Sequence, residues 1–197
     1  MVYRNIKIER SVLGFLKSLP PELLKFPFDI HKAVKTMSNC TIHSYQMFAL
    51  KFGTSVQKVA EDCQSETGCT HKYNDKYMIM YNNDEQLPNE RRKYTIAHEL
   101  GHIILGHHEI KRKQQIAQND KEDKVMEREA DYFAACVLCP MPLVYILKLR
   151  NIYQIRRRFG LSYKAAEIAW NDYCHYDRSY DIAWHNDMIK LLSPHFE

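Results

Sequence analysis

His98, Glu99 and His102 stand in the order His-Glu-x-x-His within "RRKYTIAHELGHIILGHH", residues 91 to 108. On an α-helix, positions four apart lie about 40° from one another, so both imidazoles project from one face and can reach one metal ion. Glu99 points to the same side but is offset along the axis, so it can touch a metal-bound water without ligating the metal. Hydrolysis at zinc needs this arrangement. The ion lowers the pKa of its water towards ~7 and polarises a carbonyl, while the glutamate takes the water's proton and passes it to the departing amine. A chain with ten histidines can produce the pattern by accident, so the third ligand decides whether it is a site.

Two candidates for that ligand imply different chemistry families. His108 lies ten residues after His98, the interval of the pattern HExxHxxGxxH, in which a glycine turns the chain so that the last histidine returns to the metal. Here Leu105 occupies the turn position and the glycine comes one residue late, at Gly106. A leucine forced into a glycine conformation costs on the order of 1 kcal/mol or more. His107 and His108 then read as a solvated helix exit, where imidazoles suit the helix dipole. The rival is "MEREADYFAACVLCP", in which Glu127 and Asp131 share a helix face and Glu129 points about 160° away from Asp131. Glu127 would bind the ion and Asp131 would accept the N–H of a ligating imidazole, fixing its tautomer. The bland alternative is an amphipathic helix with its acids in solvent, and Glu129 stands as the second choice of ligand.

The elements that must position these groups are partly legible. Residues 8 to 20 read as a helix stopped by Pro20-Pro21, and "PFDIHKAVKTM" as a second with Asp29 as its cap. "CTIHSYQMFAL" is rich in β-branched and aromatic residues and reads as a strand; "VQKVAEDCQS", after Thr54-Ser55, reads as a short helix. "THKYNDKYMIMYNND" reads as a hairpin turning at Asn74-Asp75; "YMIMY" either offers a sheet edge to an extended peptide, the favoured reading, or lies as a central, fully paired strand. The His98 helix is expected from Glu90 to about Leu105, capped by Asn89 and stopped by Gly106; a further helix is expected over 124 to 139, ended by "CPMPL". Residues 109 to 124 read as a loop or solvated helix end, and the final 24 residues carry no clear signal. Tyr132, His107 and His175 are open alternatives for stabilising an oxyanion.

At 197 residues with 45% hydrophobic and 26% charged residues, the chain has ordinary globular composition and length for a real core. A net charge of +4 is too small to argue nucleic-acid binding without local clustering. The expectation is a cytoplasmic protein without a signal peptide or membrane-spanning run, whose six cysteines are free thiols. Cys136-x-x-Cys139 lacks a second such pair and reads as buried small hydrophobes rather than a metal or redox motif.

"RRKYTIAHELGHIILGH", followed by "EREADYFAACVLCP" and preceded by "YMIMYNN", resembles the ImmA/IrrE metallopeptidases over roughly residues 27 to 142. Tyr94 replaces that family's usual Phe, and Cys139 stands where Met is common before Pro140; neither touches the metal chemistry. The resemblance implies an α+β, zincin-like minimal metallopeptidase, with a small mixed or antiparallel sheet packed on the HExxH helix and a third-ligand helix. It implies one Zn2+ held by His98, His102 and Glu127 with Glu99 catalytic, although two histidines and a carboxylate also suit Mn2+ or Fe2+. It also implies a function: anti-repressors of bacteria, mobile elements and phages, which cleave a helix-turn-helix repressor.

Residues 1–142 are thus expected to form the peptidase domain, and 143–197 a helical subdomain packed on it. Lys148, Arg150, Arg156, Arg157 and Arg158 precede a helix-turn-helix cadence with Gly160 at the bend and Ser162 as a cap. DNA contact through 148–170 is one reading of it; the favoured one is a helical pair with solvated arginines. Two further classes of function stand beside the peptidase: a non-catalytic repressor- or DNA-binding regulator with a structural metal site, and a peptidase toxin.

Overall fold

A computed structural model describes residues 5–109, 120–176 and 182–195. The fold is mixed α+β, with many helices and one small three-stranded sheet, in keeping with a minimal zincin-like peptidase. Two compact units divide it: residues 30–131 form one, and residues up to Asp29 together with those from Tyr132 onward form the other.

The 30–131 unit is built in layers around the sheet. Its strands are β1 (Cys40–Ser44), β2 (Gly68–Tyr73) and β3 (Lys76–Tyr81), in the order β1-β3-β2. β1 runs parallel to β3 and β2 antiparallel to it, with Ile42 and Thr70 both opposite Ile79. β2 and β3 form the expected hairpin, with Asn74 at φ +51° in its turn. β3, which carries "YMIMY", is therefore central and fully paired. The sheet edge beside it belongs to β2, and that corrects the expectation of an edge at "YMIMY".

One face of the sheet packs on helix α5 (Asn89–Ile104) and on α2 (Ile30–Lys35). The other face carries α3 (Tyr45–Phe52) and α4 (Val56–Cys63), whose Tyr45, Ala49, Val59 and Ala60 close over Met80. The stretch expected as one long strand is in fact β1 followed by α3. Ser44 makes the switch: its backbone is extended and its hydroxyl accepts the Met47 N–H at 3.1 Å, an N-cap that competes with strand continuation.

Gly68 permits a close approach of sheet to helix. A Cβ there would lie 2.4 Å from the Thr95 side chain on α5 and 3.0 Å from the Met80 carbonyl, so a side chain at this position would push β2 away. α5 begins at Asn89, with Pro88 rather than Asn89 as the residue before it, and ends where Leu105 keeps a right-handed conformation and Gly106 turns at φ +73°.

Helix α6 (Asp120–Leu138) follows residues 110–119, so most of the stretch expected as a loop or solvated helix end lies outside the described residues. Its apolar positions Met126, Ala130, Phe133, Ala134 and Val137 recur at helical spacing and are all buried. By length and composition the run Glu122–Ile146 could pass for a membrane span, contrary to the expectation that none would. It breaks at Pro140, however, and 56% of its most apolar window is buried within the protein, as in a core helix.

The second unit holds α1 (Ile6–Lys17), the C-terminal part of α6, and four more helices: α7 (Met141–Ile146), α8 (Ile152–Phe159), α9 (Tyr163–Cys174) and α10 (Ile182–Leu192). Asn5 caps α1, Asn151 caps α8 and Ser162 caps α9, while Gly160 at φ +63° turns α8 into α9. The last helix had no sequence signal, yet it buries Trp184, Met188 and Leu192. The Trp184 indole N–H donates to the Glu9 carbonyl at 2.8 Å, and the Tyr132 hydroxyl donates to the Glu9 carboxylate at 2.6 Å.

Candidate metal centre

His98 and His102 lie on α5 and Glu127 on α6, and their ligating atoms converge. The two Nε2 atoms are 3.1 Å apart, with Glu127 Oε2 3.1 Å from His98 Nε2 and Oε1 3.5 Å from His102 Nε2. Metal–ligand bonds of about 2.0–2.1 Å at tetrahedral angles place donor atoms about 3.3–3.4 Å apart. The three separations straddle that edge, so this group could hold a metal ion, and its donor set of two imidazoles and a carboxylate suits zinc.

Both imidazoles are oriented from behind. The His98 Nδ1–H donates to Asp131 Oδ1 at 2.9 Å, and the Tyr94 hydroxyl donates to the same oxygen at 2.9 Å. Asp131 is thus fixed by two donors, one turn along α6 from Glu127. His102 turns its Nδ1 to Nδ1 of His107, 2.9 Å away, and His107 Nε2 lies 3.1 Å from Glu129 Oε2. The tautomers that satisfy this chain have His102 donating to His107 and His107 donating to Glu129, which leaves His102 Nε2 with a free lone pair.

His107 is therefore no solvated helix exit. It is buried, 1% exposed, where Gly106 folds the chain back beneath His102. Glu129 engages His107 and lies outside the group formed by His98, His102 and Glu127, and so does His108, whose ring packs by that of Tyr77. The sequence signal for His107 was present in the left-handed Gly106 and the imidazole that follows it, but spacing alone did not show which way the chain would turn.

The electrostatics follow the geometry. Burial works against a charged His98, but hydrogen bonds to Asp131 and Glu127, with the nearby Glu99 charge, outweigh it and push its pKa up to about 9. The imidazoles of His102 and then His98 hold the Glu127 carboxyl well below the usual carboxylate range. His98, and after it Tyr94, lowers Asp131 despite partial burial. Burial first, then Asp131, raises the Tyr94 phenol.

Glu99 is half-buried beside the two histidines, and its Oε2 accepts the Thr70 hydroxyl of β2 at 2.7 Å. Ala97, Leu100 and Gly101 bury the opposite side of the helix. The cleft over this group is lined by α5, by Glu127 and Asp131 of α6, and by Thr67, Gly68, Cys69 and Thr70 at the start of the edge strand. Of the three residues considered for an oxyanion, His107 serves His102, whereas Tyr132 and His175 line a separate small cavity with Glu9 in the other unit.

The cysteines divide into two sets. Cys63 and Cys69 are disulfide-bonded, their Cα atoms 5.8 Å apart, within the span such a bond allows. That corrects the free-thiol expectation for these two, which rested on compartment and not on geometry. Cys40, Cys136, Cys139 and Cys174 lie outside this disulfide, with Cys139 buried as expected and Cys136 partly so.

A family model for peptidases, described as the IrrE N-terminal-like domain, matches residues 52–171. The match begins at the end of α3, includes both helices of the metal group, and extends past the sequence resemblance into α9. No curated protein matches the chain.

Proposed function

This chain belongs to the peptidase family of the IrrE N-terminal-like domain, and on that premise we propose that it is a zinc endopeptidase using Glu99 as general base. The observation that carries the reading is the convergence of His98, His102 and Glu127 at separations of 3.1, 3.1 and 3.5 Å, with Glu99 beside them. Bound zinc supplies Lewis acidity toward a water and a scissile carbonyl.

The chain's own residues do the rest. Glu99 takes the proton of the attacking water and delivers it to the leaving amine, while the Thr70 hydroxyl, 2.7 Å away, keeps the carboxylate turned into the cleft. Asp131 and His107 hold the two imidazoles with Nε2 facing inward. β2 is the edge strand on the cleft side, so its outer backbone N–H and C=O groups are the natural guide for an extended substrate segment.

The proposed substrate is a helix-turn-helix repressor, a reading that rests on the resemblance to the ImmA/IrrE metallopeptidases. An HExxH peptidase of this kind needs a segment it can draw out as a strand, which a linker beside a small helical domain provides. The arginine-bearing helix pair α8–α9 serves here as packing and protein contact, not as a DNA reader. The test incubates the zinc-loaded chain with a proteome-derived peptide library and with any small helix-turn-helix repressor found encoded beside its gene. Cleavage at defined bonds that a chelator stops and zinc restores is the expected result. An intact library and an intact repressor would leave the metal site without a catalytic role.

A further inference from the structure

We propose that Cys63, Cys69 and His71 form a second metal site, separate from the His98–His102–Glu127 group, which takes a soft divalent ion such as zinc when its two sulfurs are reduced. The inference does not depend on peptidase activity. Cys63 ends α4, while Cys69 and His71 stand two apart on β2 and so project from one face of the strand. Gly68 and Thr70 occupy the opposite face, towards α5.

The three side chains meet at one point: His71 Nε2 lies 3.8 Å from Cys63 Sγ and 3.4 Å from Cys69 Sγ. Zinc–sulfur bonds of about 2.3 Å and zinc–nitrogen bonds of about 2.0–2.1 Å at tetrahedral angles require S···N separations of about 3.5–3.6 Å, midway between these values. Two sulfurs freed from a disulfide part to non-bonded contact, about 3.7 Å, which is also the S···S edge of such a centre. Two thiolates and one imidazole form a soft set that prefers zinc to magnesium or calcium. Both cysteines are only partly buried and His71 is exposed, so solvent has a route in and a water can complete the coordination.

In the structure the sulfurs are oxidised, so the metal competes with a bond. Two molecules of a small thiol reduce the pair: they give up two electrons and two protons, leaving their own disulfide and two cysteine thiols. The ion then displaces both thiol protons. Disulfide and metal are thus alternative ties between the end of α4 and the edge strand. Either tie anchors Cys69, the residue immediately before Thr70, whose hydroxyl hydrogen-bonds Glu99.

Cobalt substitution in the full chain tests this, since only a thiolate ligand gives an intense near-ultraviolet sulfur-to-cobalt charge-transfer band, and the His98–His102–Glu127 group contains none. The chain is reduced with a phosphine, which leaves no competing thiol. Two equivalents of Co2+ are expected to bind, with the charge-transfer band from one of them; the oxidised chain should bind one equivalent without the band. The double variant Cys63→Ser/Cys69→Ser should lose the band and keep one equivalent. His71→Ala, which leaves both sulfurs in place, should weaken the band's site by at least about tenfold. Should the double variant fail to fold, His71→Ala still decides. A reduced wild-type chain that binds cobalt without the band, or a His71→Ala chain with unchanged affinity at this site, would overturn the proposal.

Discussion

The two candidate metal groups of the 30–131 unit differ in what stands behind their ligands. Each imidazole of the His98–His102–Glu127 group has a partner that fixes its orientation, Asp131 behind His98 and His107 behind His102, and those partners are held in turn by Tyr94 and Glu129. The Cys63–Cys69–His71 group draws on a helix end and an exposed strand position, and its imidazole contacts only the two sulfurs among the described hydrogen bonds. A supported donor set has already met the cost of ordering before the ion arrives, whereas an unsupported one meets it on binding. A metal at the first group would therefore be held firmly, and one at the second would exchange more readily or be lost to oxidation.

Removing a ligand should separate the two most sharply. Glu127→Ala deletes one of the bonds that share a zinc-binding free energy of roughly 10–16 kcal/mol, and is expected to weaken zinc at the first group by on the order of a thousandfold. Competition with a chromophoric chelator reads that loss, and the thiolate site should be untouched. Removing support comes next. Asp131→Asn and His107→Phe are each expected to cost roughly 10–100-fold in zinc affinity without deleting a ligand. Equal affinities in variant and wild type would make the supporting hydrogen bonds incidental.

The groups should also differ with pH. In the metal-free protein His98 holds a proton up to about pH 9, and zinc must expel it. Affinity at that group should therefore climb as pH rises, by up to about tenfold per unit, and level off above about pH 9. The sign follows from a raised histidine pKa: the proton-bound state is favoured below it and vanishes above it. Calorimetry in buffers of different ionisation enthalpy counts the proton released. The smallest effect belongs to the scaffold. Gly68→Ala should cost about 1–3 kcal/mol in urea unfolding, because the new methyl meets Thr95 and the Met80 carbonyl. It should also slow cleavage by shifting Thr70 away from Glu99.

Much of this was legible from local rules. The helical spacing of His98 and His102, the i,i+4 pairing of Glu127 with Asp131, the Asn74 turn and the Gly160 bend each follow from the geometry of one element, and each has its counterpart in the structure. What was not legible depended on contacts between elements. Ser44 divides an apolar run into strand and helix, a choice that tertiary packing makes and β-propensity does not. β3 is central because β1 arrives from far along the chain to pair in parallel with it, a connection that alternation within a hairpin does not reveal. His107 is buried because Gly106 turns it inward, and Cys63 meets Cys69 because α4 ends against β2. Helix α10 buries Trp184, Met188 and Leu192 but leaves Ile182 exposed, so its apolar residues mark no single face, and no family pattern drew attention to it.

The most direct measurement is on Glu99→Gln, which is nearly isosteric and keeps a hydrogen-bond acceptor for Thr70 while removing the base. Zinc content and cleavage of the same substrate would be measured side by side for this variant and the wild-type chain. One zinc retained by His98, His102 and Glu127, with cleavage reduced by at least about 10²–10⁴-fold, is the predicted result. Full cleavage by a zinc-loaded Glu99→Gln chain would contradict it, and would move the catalytic base elsewhere in the cleft.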